Sequence, residues 1–214
     1  MKKLKALEII ILVIGGLILW NTWVFGWLNH GLAGYTRMSI SELNVSGQPY
    51  ALFFSGTELL SGLFLLVSGL GLTSFTKKSK LALVVLALVA LIGGLTIFDA
   101  VRPVDCNRYQ NPACVAKIAS GQLSASDRQH GTESRITDYA TGFLALALIA
   151  WALAAKMPGR ELAIVVVLAI GVIATSVIGS DSIVYDSISQ RVWNVLVSFD
   201  FLFVAYKLKL RQYT

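Results

Sequence analysis

Several ionisable side chains lie inside stretches of sequence that are otherwise apolar. Glu58, Asp99 and Asp200 each fall within a run of mainly Leu, Val, Ile, Ala and Phe residues. A charged group at the centre of a bilayer costs at least about 2.5 kcal/mol on insertion scales, so each of these residues requires a partner or a function. Helical spacing places Asp99 and Arg102 on one stripe, where the two side chains can form an ion pair.

Most of these polar groups lie toward the same ends of their helices, which predicts a polar pocket open to the exterior. The alternative is that they form buried ion pairs that hold the bundle together, and both interpretations stay open. Asp200 has no obvious partner, so it is expected to be protonated, to face another subunit or to bond to a neighbouring helix. The predicted ligand-binding residues are Glu58, Asp99, Arg102, His130, Asp138, Arg191 and Asn194.

The chain contains two cysteines, Cys106 and Cys114, and both fall in the long connection 101–138. An even number of cysteines in an exterior loop favours a disulfide. Catalysis of thiol oxidation is the alternative, but it would require a C-x-x-C pair and a second pair for relay. Because two cysteines and His130 do not supply four ligands, no metal site is predicted.

Aromatic residues crowd the end of the first apolar stretch, at Trp20, Trp23, Phe25 and Trp27. This pattern favours an aromatic belt at the membrane interface. A cage of aromatic rings around a cation is the less favoured alternative. The pairs Gly15-Gly16 and Gly93-Gly94 are expected to allow close approach of helices.

Composition identifies the elements that must position these groups. Of 214 residues, 56% are hydrophobic and 14% are charged, whereas a soluble domain has about 25% charged residues. We predict an all-α membrane protein with six transmembrane helices in a single domain spanning residues 1–214. Each helix is long enough to cross a hydrocarbon core of about 30 Å. The expected spans are 6–28, 50–72, 81–100, 139–155, 162–179 and 192–208.

The distribution of basic residues predicts the orientation of the helices. Eleven of the 18 Lys and Arg residues lie in the two tails and in the short connections between spans two and three and between spans four and five. Both termini are therefore predicted to be cytoplasmic. The first stretch is expected to be a retained helix because it is longer than a signal-peptide core. A multi-pass protein of the plasma membrane is therefore expected, with membrane lipids as partners. The net charge of +6 requires no nucleic acid, and the oligomeric state stays open.

Short motifs along the chain resemble the family of six-helix prokaryotic membrane proteins known as Domain of Unknown Function 998. They are Ser39-Ile40-Ser41-Glu42-Leu43 followed by Ser61-Gly62-Leu63, then Pro103-x-Asp105-Cys106 with Cys114 and His130, and finally Ser189-Gln190-Arg191 before Ala205-Tyr206-Lys207-Leu208. The resemblance implies a six-helix architecture and no assigned activity. It points to Ser41-Glu42, Asp105-Cys106, His130 and Gln190-Arg191 as functional positions.

These observations favour a protein that binds or transports a lipid or other amphiphile, with no cofactor. Arg102 and Arg191 would hold an anionic group through forked hydrogen bonds. One alternative is a hydrolase or transferase acting on a lipid-linked substrate, with His130 as base and Ser124, Ser126 or Ser134 as nucleophile. Another is a structural or regulatory membrane partner. The sequence leaves the choice between enzyme and non-enzyme open and leans toward the latter.

Overall fold

A computed structural model describes residues 2–28, 31, 35, 38–73, 79–102, 104–107, 111–178 and 183–210. Across these residues the regular structure is entirely helical. The α-helices are α1 (Lys2–Trp20), α2 (Ala51–Thr73), α3 (Lys80–Ala100), α4 (Pro112–Ala119), α5 (Ala125–Ala154), α6 (Gly159–Ile178) and α7 (Ile183–Leu210). Two 3-10 turns, Thr22–Phe25 and Ser41–Asn44, follow α1 and precede α2.

Six of these helices are long and apolar enough to cross a membrane, which confirms the predicted number of spans. Many of their large apolar side chains face outward, including Leu52, Val167 and Ile170. Such a surface is unfavourable in water and favourable against lipid tails. The candidate spans are Leu7–Phe25, Ala51–Thr73, Lys80–Ala100, Ala125–Ala154, Gly159–Val177 and Ser187–Leu208.

The spanning helices form a ring in chain order. Each one packs against its sequence neighbour among the spans, and α7 returns to pack against α1. The ring encloses a core of Leu, Val, Ile, Phe and Trp side chains contributed by all six spans. We call the end of the ring at which α3 ends and α5 begins the disulfide end, because Cys106 and Cys114 lie between those helices.

Glycines bring α2 and α3 into close contact. A Cβ atom on Gly93 would lie 2.4 Å from the backbone nitrogen of Leu66, and one on Gly62 would lie 2.7 Å from the backbone oxygen of Gly93. The predicted role of glycine in close helix packing therefore holds at Gly93. It does not hold at Gly94, where an added Cβ would meet no atom within 4 Å.

The connection after α3 is shorter than the sequence indicated. We expected a loop through Asp138, but α5 begins at Ala125 and is 30 residues long. Ser124 caps this helix by accepting a hydrogen bond from the backbone nitrogen of Asp127. Hydropathy does not detect residues 125–138 because they are polar. The expectation that His130 lies in a loop is consequently wrong, since it lies in α5 and is 6% exposed.

The predicted disulfide is confirmed. Cys106 and Cys114 are bonded to one another, with their Cα atoms 5.8 Å apart. The bond joins the segment that follows α3 to the short helix α4. Asn111 caps α4 through its side chain, and Pro112 occupies the first turn, where its missing N–H group has no cost.

Candidate functional site

A cavity of about 300 Å³ lies inside the ring at the disulfide end. All six spanning helices contribute to its wall, and the 3-10 turn Ser41–Asn44 contributes Ser41, Leu43 and Asn44. The cavity has the size of a small ligand site. Its wall combines apolar side chains such as Leu19 and Phe54 with carboxyl, amide and hydroxyl groups.

The turn Ser41–Asn44 is held in place as one wall of the cavity. The backbone nitrogen of Ile40 donates to Oε1 of Gln190 on α7 at 2.9 Å. The backbone nitrogen of Ser39 donates to Oε2 of Glu42 at 3.0 Å. Leu43 is 1% exposed and packs with Met38 and Phe54, so the turn is anchored by both polar and apolar contacts.

Glu58 and Asp99 lie together at the cavity. Glu58 lies about two turns into α2, and its Oε2 accepts a hydrogen bond of 2.5 Å from Nδ2 of Asn44. Asp99 lies near the end of α3 and lines the same cavity as Glu58. The antiparallel packing of α2 and α3 brings the start of one helix beside the end of the other, which explains the juxtaposition.

Asp99 does not pair with Arg102, contrary to our expectation. Its Oδ1 lies 2.7 Å from Nδ1 of His130 on α5, whereas Arg102 forms an ion pair with Glu133 on the same helix. The extension of α5 places its polar first turns beside the end of α3. His130 of α5 therefore pairs with Asp99, and Glu133 of α5 pairs with Arg102. Arg102 and His130 are therefore adjacent to the cavity and are not part of its described wall.

Arg191 also lies outside the described cavity wall. Its Nη2 donates to the backbone oxygen of Tyr35 at 2.7 Å, and its Nη1 donates to the backbone oxygen of Ser187 at the same distance. The guanidinium carbon is 4.2 Å from the centre of the Tyr35 ring. These contacts attach the segment before α2 to the start of α7.

Asn194 on α7 lines the cavity and is 7% exposed. Its Oδ1 is buried and has no hydrogen-bond donor among the described residues. Three indole rings, those of Trp20, Trp23 and Trp193, form part of the same wall. The rings of Trp20 and Trp193 have centroids 6.5 Å apart.

Polar contacts fix α1 against its neighbours around the cavity. Nδ2 of Asn21 donates to Oγ of Ser198 on α7 at 3.0 Å. The hydroxyl oxygens of Thr22 and Thr57 lie 2.8 Å apart, and Oγ of Ser61 donates to the backbone oxygen of Gly16 at 2.8 Å. These bonds set the position of the end of α1, which carries Trp20, and of the 3-10 turn after it, which carries Trp23.

The disulfide segment is joined to the start of α5 by carboxyl groups. The backbone nitrogen of Ser124 donates to Oδ2 of Asp105 at 2.7 Å, and that of Asp105 donates to Oδ2 of Asp127 at 2.9 Å. Hydrogen bonds from the side chain and backbone of Ser124 lower the pKa of Asp105. Asp105 is thus kept ionised as a structural link.

The serines considered as nucleophiles beside His130 make helical contacts. Oγ of Ser124 accepts from the backbone nitrogen of Asp127, and Oγ of Ser134 donates to the backbone oxygen of His130. Nδ1 of His130 contacts Asp99. Within the described ranges, no group of three or more His, Cys, Asp or Glu side chains is arranged to hold a metal ion.

Asp200 on α7 lies apart from the cavity wall. It is 1% exposed, and neither carboxyl oxygen has a hydrogen-bond partner in the part of the chain that the structure describes. Its burial inside the ring argues against contact with another subunit.

The structure thus brings four of the seven predicted ligand-binding residues to one cavity, namely Glu58, Asp99, Asp138 and Asn194. Sequence reasoning missed Asn44, and it favoured an interfacial belt for Trp20 and Trp23, which line the cavity instead. An asparagine in a polar connection carries no distinguishing signal. An aromatic residue at a helix end is typical of both a belt and a pocket wall.

A ring of six helices long and apolar enough to span a membrane, around a cavity with a mixed polar and apolar wall, indicates a multi-pass helical membrane protein. Residues 13–116 match the model of the family described as Protein of unknown function (DUF998), which confirms the predicted resemblance. Over these residues, which make up just under half of the chain, the protein is similar to that family, whose function is unknown. The match covers Ser41, Glu58, Asp99 and both cysteines and ends before His130 and Arg191. No curated protein and no solved structure matches the chain.

Proposed function

We propose that the protein binds a lipid or other amphiphile in the cavity at the disulfide end. The observation that carries this proposal is the mixed character of the wall, in which Leu19 and Phe54 accompany Glu58 and Asn194. An apolar surface with a few convergent polar groups is typical of ligand pockets. The volume of about 300 Å³ suits a head group with a short apolar segment.

We further propose that the protein lies in the plasma membrane with both termini in the cytoplasm. Eleven of its 18 basic residues belong to tails and connections on one side, and the disulfide belongs to the other. Positive charge is typical of the cytoplasmic side, and a disulfide is typical of an oxidising compartment. In this orientation the cavity lies in the outer half of the bilayer.

Filling the cavity tests the proposal. Ser134 lines the cavity and Thr132 is exposed on the same helix, and each donates its hydroxyl to the backbone oxygen four residues earlier. Ser134→Trp should therefore abolish saturable binding of the neutral fluorescent amphiphile N-phenyl-1-naphthylamine to protein in nanodiscs, and Thr132→Trp should retain it. Empty nanodiscs give the partitioning background.

A second measurement complements the probe assay. Native mass spectrometry should show a lipid that co-purifies with the wild-type protein and with Thr132→Trp but is lost from Ser134→Trp. Equal probe binding by both variants, in samples that are equally monodisperse, would contradict the proposal because the cavity would then not be the binding site.

A further inference from the structure

The charge of the cavity wall indicates the kind of head group that it accepts, an inference that rests on the proposed function. The described wall contains the carboxyl groups of Glu58, Asp99 and Asp138 and contains no Lys or Arg side chain. The two arginines expected to hold an anion make other contacts, Arg102 with Glu133 and Arg191 with the backbone of Tyr35 and Ser187. An anionic head group would therefore meet carboxyl groups on the described wall, because the basic side chains beside the wall, His130 and Arg191, already contact Asp99 and the backbone of Tyr35.

Asn194 supplies an independent observation that points to a hydrogen-bond donor. Its Oδ1 is an acceptor with no donor among the described residues, on a side chain that is 7% exposed and lines the cavity. A buried acceptor without a donor is costly, and few such groups persist in folded proteins. A ligand with N–H groups would satisfy it.

The aromatic side chains of the wall fit the same class of ligand. Indole rings attract cations more strongly than other aromatic side chains do. Trp23 already lies beside a cation, with the guanidinium carbon of Arg191 5.9 Å from its ring centre. Trp20 and Trp193 are further indole rings of the cavity wall, and they lie on α1 and α7.

We infer that the cavity accepts an amphiphile whose head group is a protonated primary or secondary amine. Glu58 and Asp99 supply carboxyl oxygens for the ammonium group, Asn194 accepts an N–H hydrogen bond, and the tryptophan rings shield the ammonium group from water. The apolar residues Leu19 and Phe54 contact the alkyl segment next to the amine. A quaternary ammonium has no N–H donor and therefore leaves Asn194 unpaired.

Four amphiphiles with the same eight-carbon chain test this inference. Octylamine, octyltrimethylammonium, octanol and octyl sulfate are titrated into wild-type protein in nanodiscs by calorimetry, with empty nanodiscs as the blank. Octylamine should bind at least about tenfold more tightly than octyl sulfate and more tightly than octyltrimethylammonium. Equal or tighter binding of octyl sulfate would overturn the inference, and equal binding of the quaternary amine would overturn the role of Asn194.

Charge-neutralising variants locate the contact. Glu58→Gln keeps an acceptor for Asn44 and removes the charge, so octylamine affinity should fall about tenfold or more while octanol affinity is unchanged. Glu161→Gln is the matched control, since Glu161 pairs with Lys207 at the opposite end of the ring. Asn194→Leu should reduce octylamine binding and leave octyltrimethylammonium unaffected. An unchanged octylamine affinity in folded Glu58→Gln would contradict the inference.

The results separate this inference from the proposed function. Suppose that Ser134→Trp abolishes saturable binding of N-phenyl-1-naphthylamine but the wild-type protein shows no preference for octylamine. That result would overturn the inference of an amine head group and would leave the proposal of amphiphile binding in place. Absence of saturable binding for all five compounds overturns both. The comparison among wild-type affinities requires no variant, so it stands even if Glu58→Gln fails to fold.

Discussion

Asp99 and His130 connect the end of α3 to the early turns of α5 through a contact of 2.7 Å between Oδ1 and Nδ1. The side chain of His130 is 8% exposed and that of Asp99 is 24% exposed, so water screens this pair only in part. Because Asp99 also lines the cavity, the contact links the cavity wall to the helix that follows the disulfide segment. We expect it to stabilise the disulfide end.

A double-mutant cycle measures that contribution. His130→Ala and Asp99→Asn should each lower the free energy of unfolding by about 1–3 kcal/mol, since each leaves a partly buried partner unpaired. The double variant should lose less than the sum, because both changes remove one contact. Unfolding in mixed micelles gives the values, and the exposed neighbour Gln129→Ala should stay within about 0.5 kcal/mol of wild type. Additive losses would show that the two residues act independently.

Adjacent glycines on α3 are expected to respond in opposite ways to the same substitution. Gly93→Ala places a Cβ 2.4 Å from the backbone nitrogen of Leu66, so α2 and α3 must move apart at a cost of about 1–3 kcal/mol. Gly94→Ala meets no atom within 4 Å and should stabilise the helix by up to about 1 kcal/mol. Thermal unfolding of both variants in one detergent makes the comparison. Equal losses at the two positions would contradict the close packing of α2 on α3.

The spans were predictable because one physical requirement governs them. A helix that crosses lipid needs about 20 apolar residues, and that signal is local in the sequence. The disulfide was predictable for a similar reason, since only two cysteines are available and both lie in one connection. The polar start of α5 carried a weaker signal, the cap formed by Ser124 and Asp127, which the strong hydropathy of the following residues obscured.

The set of side chains that line the cavity depends on tertiary contacts, and residue spacing along a single helix does not determine those contacts. Asp99 and Arg102 are three residues apart on one stripe, yet both find partners on α5 because that helix extends beyond the expected loop. Arg191 lies four residues after Ser187, and its contact with Tyr35 required knowledge of where the preceding segment folds. The charge of the wall was therefore misjudged even though its acids were identified.

Asp200 offers a test of the cost of a buried carboxyl group that has no hydrogen-bond partner among the described residues. Replacing Asp200 by Ala removes a buried polar group whose burial costs about 1–3 kcal/mol and leaves a small cavity that costs less than about 1 kcal/mol. The free energy of unfolding should therefore rise by about 1 kcal/mol. Asp200→Asn keeps a polar group at the same place and should show no such gain. A loss of stability in Asp200→Ala would reveal that the carboxyl group has a partner after all.

The orientation of the disulfide tests the predicted topology. A membrane-impermeant phosphine reductant should reduce the Cys106–Cys114 bond in right-side-out vesicles and spare it in inverted ones, because the bond is predicted to face the exterior. After quenching, the free thiols are labelled with a maleimide polymer in denaturant, since Cys114 is 1% exposed and reacts poorly in the folded protein. Cys106→Ala/Cys114→Ala is the unlabelled control. Its free energy of unfolding should be about 2–3 kcal/mol lower than that of wild type, because the disulfide reduces the conformational entropy of the unfolded chain by closing a short loop. Reduction confined to inverted vesicles would show that the topology is the opposite of the predicted one and that the cavity lies in the inner half of the bilayer.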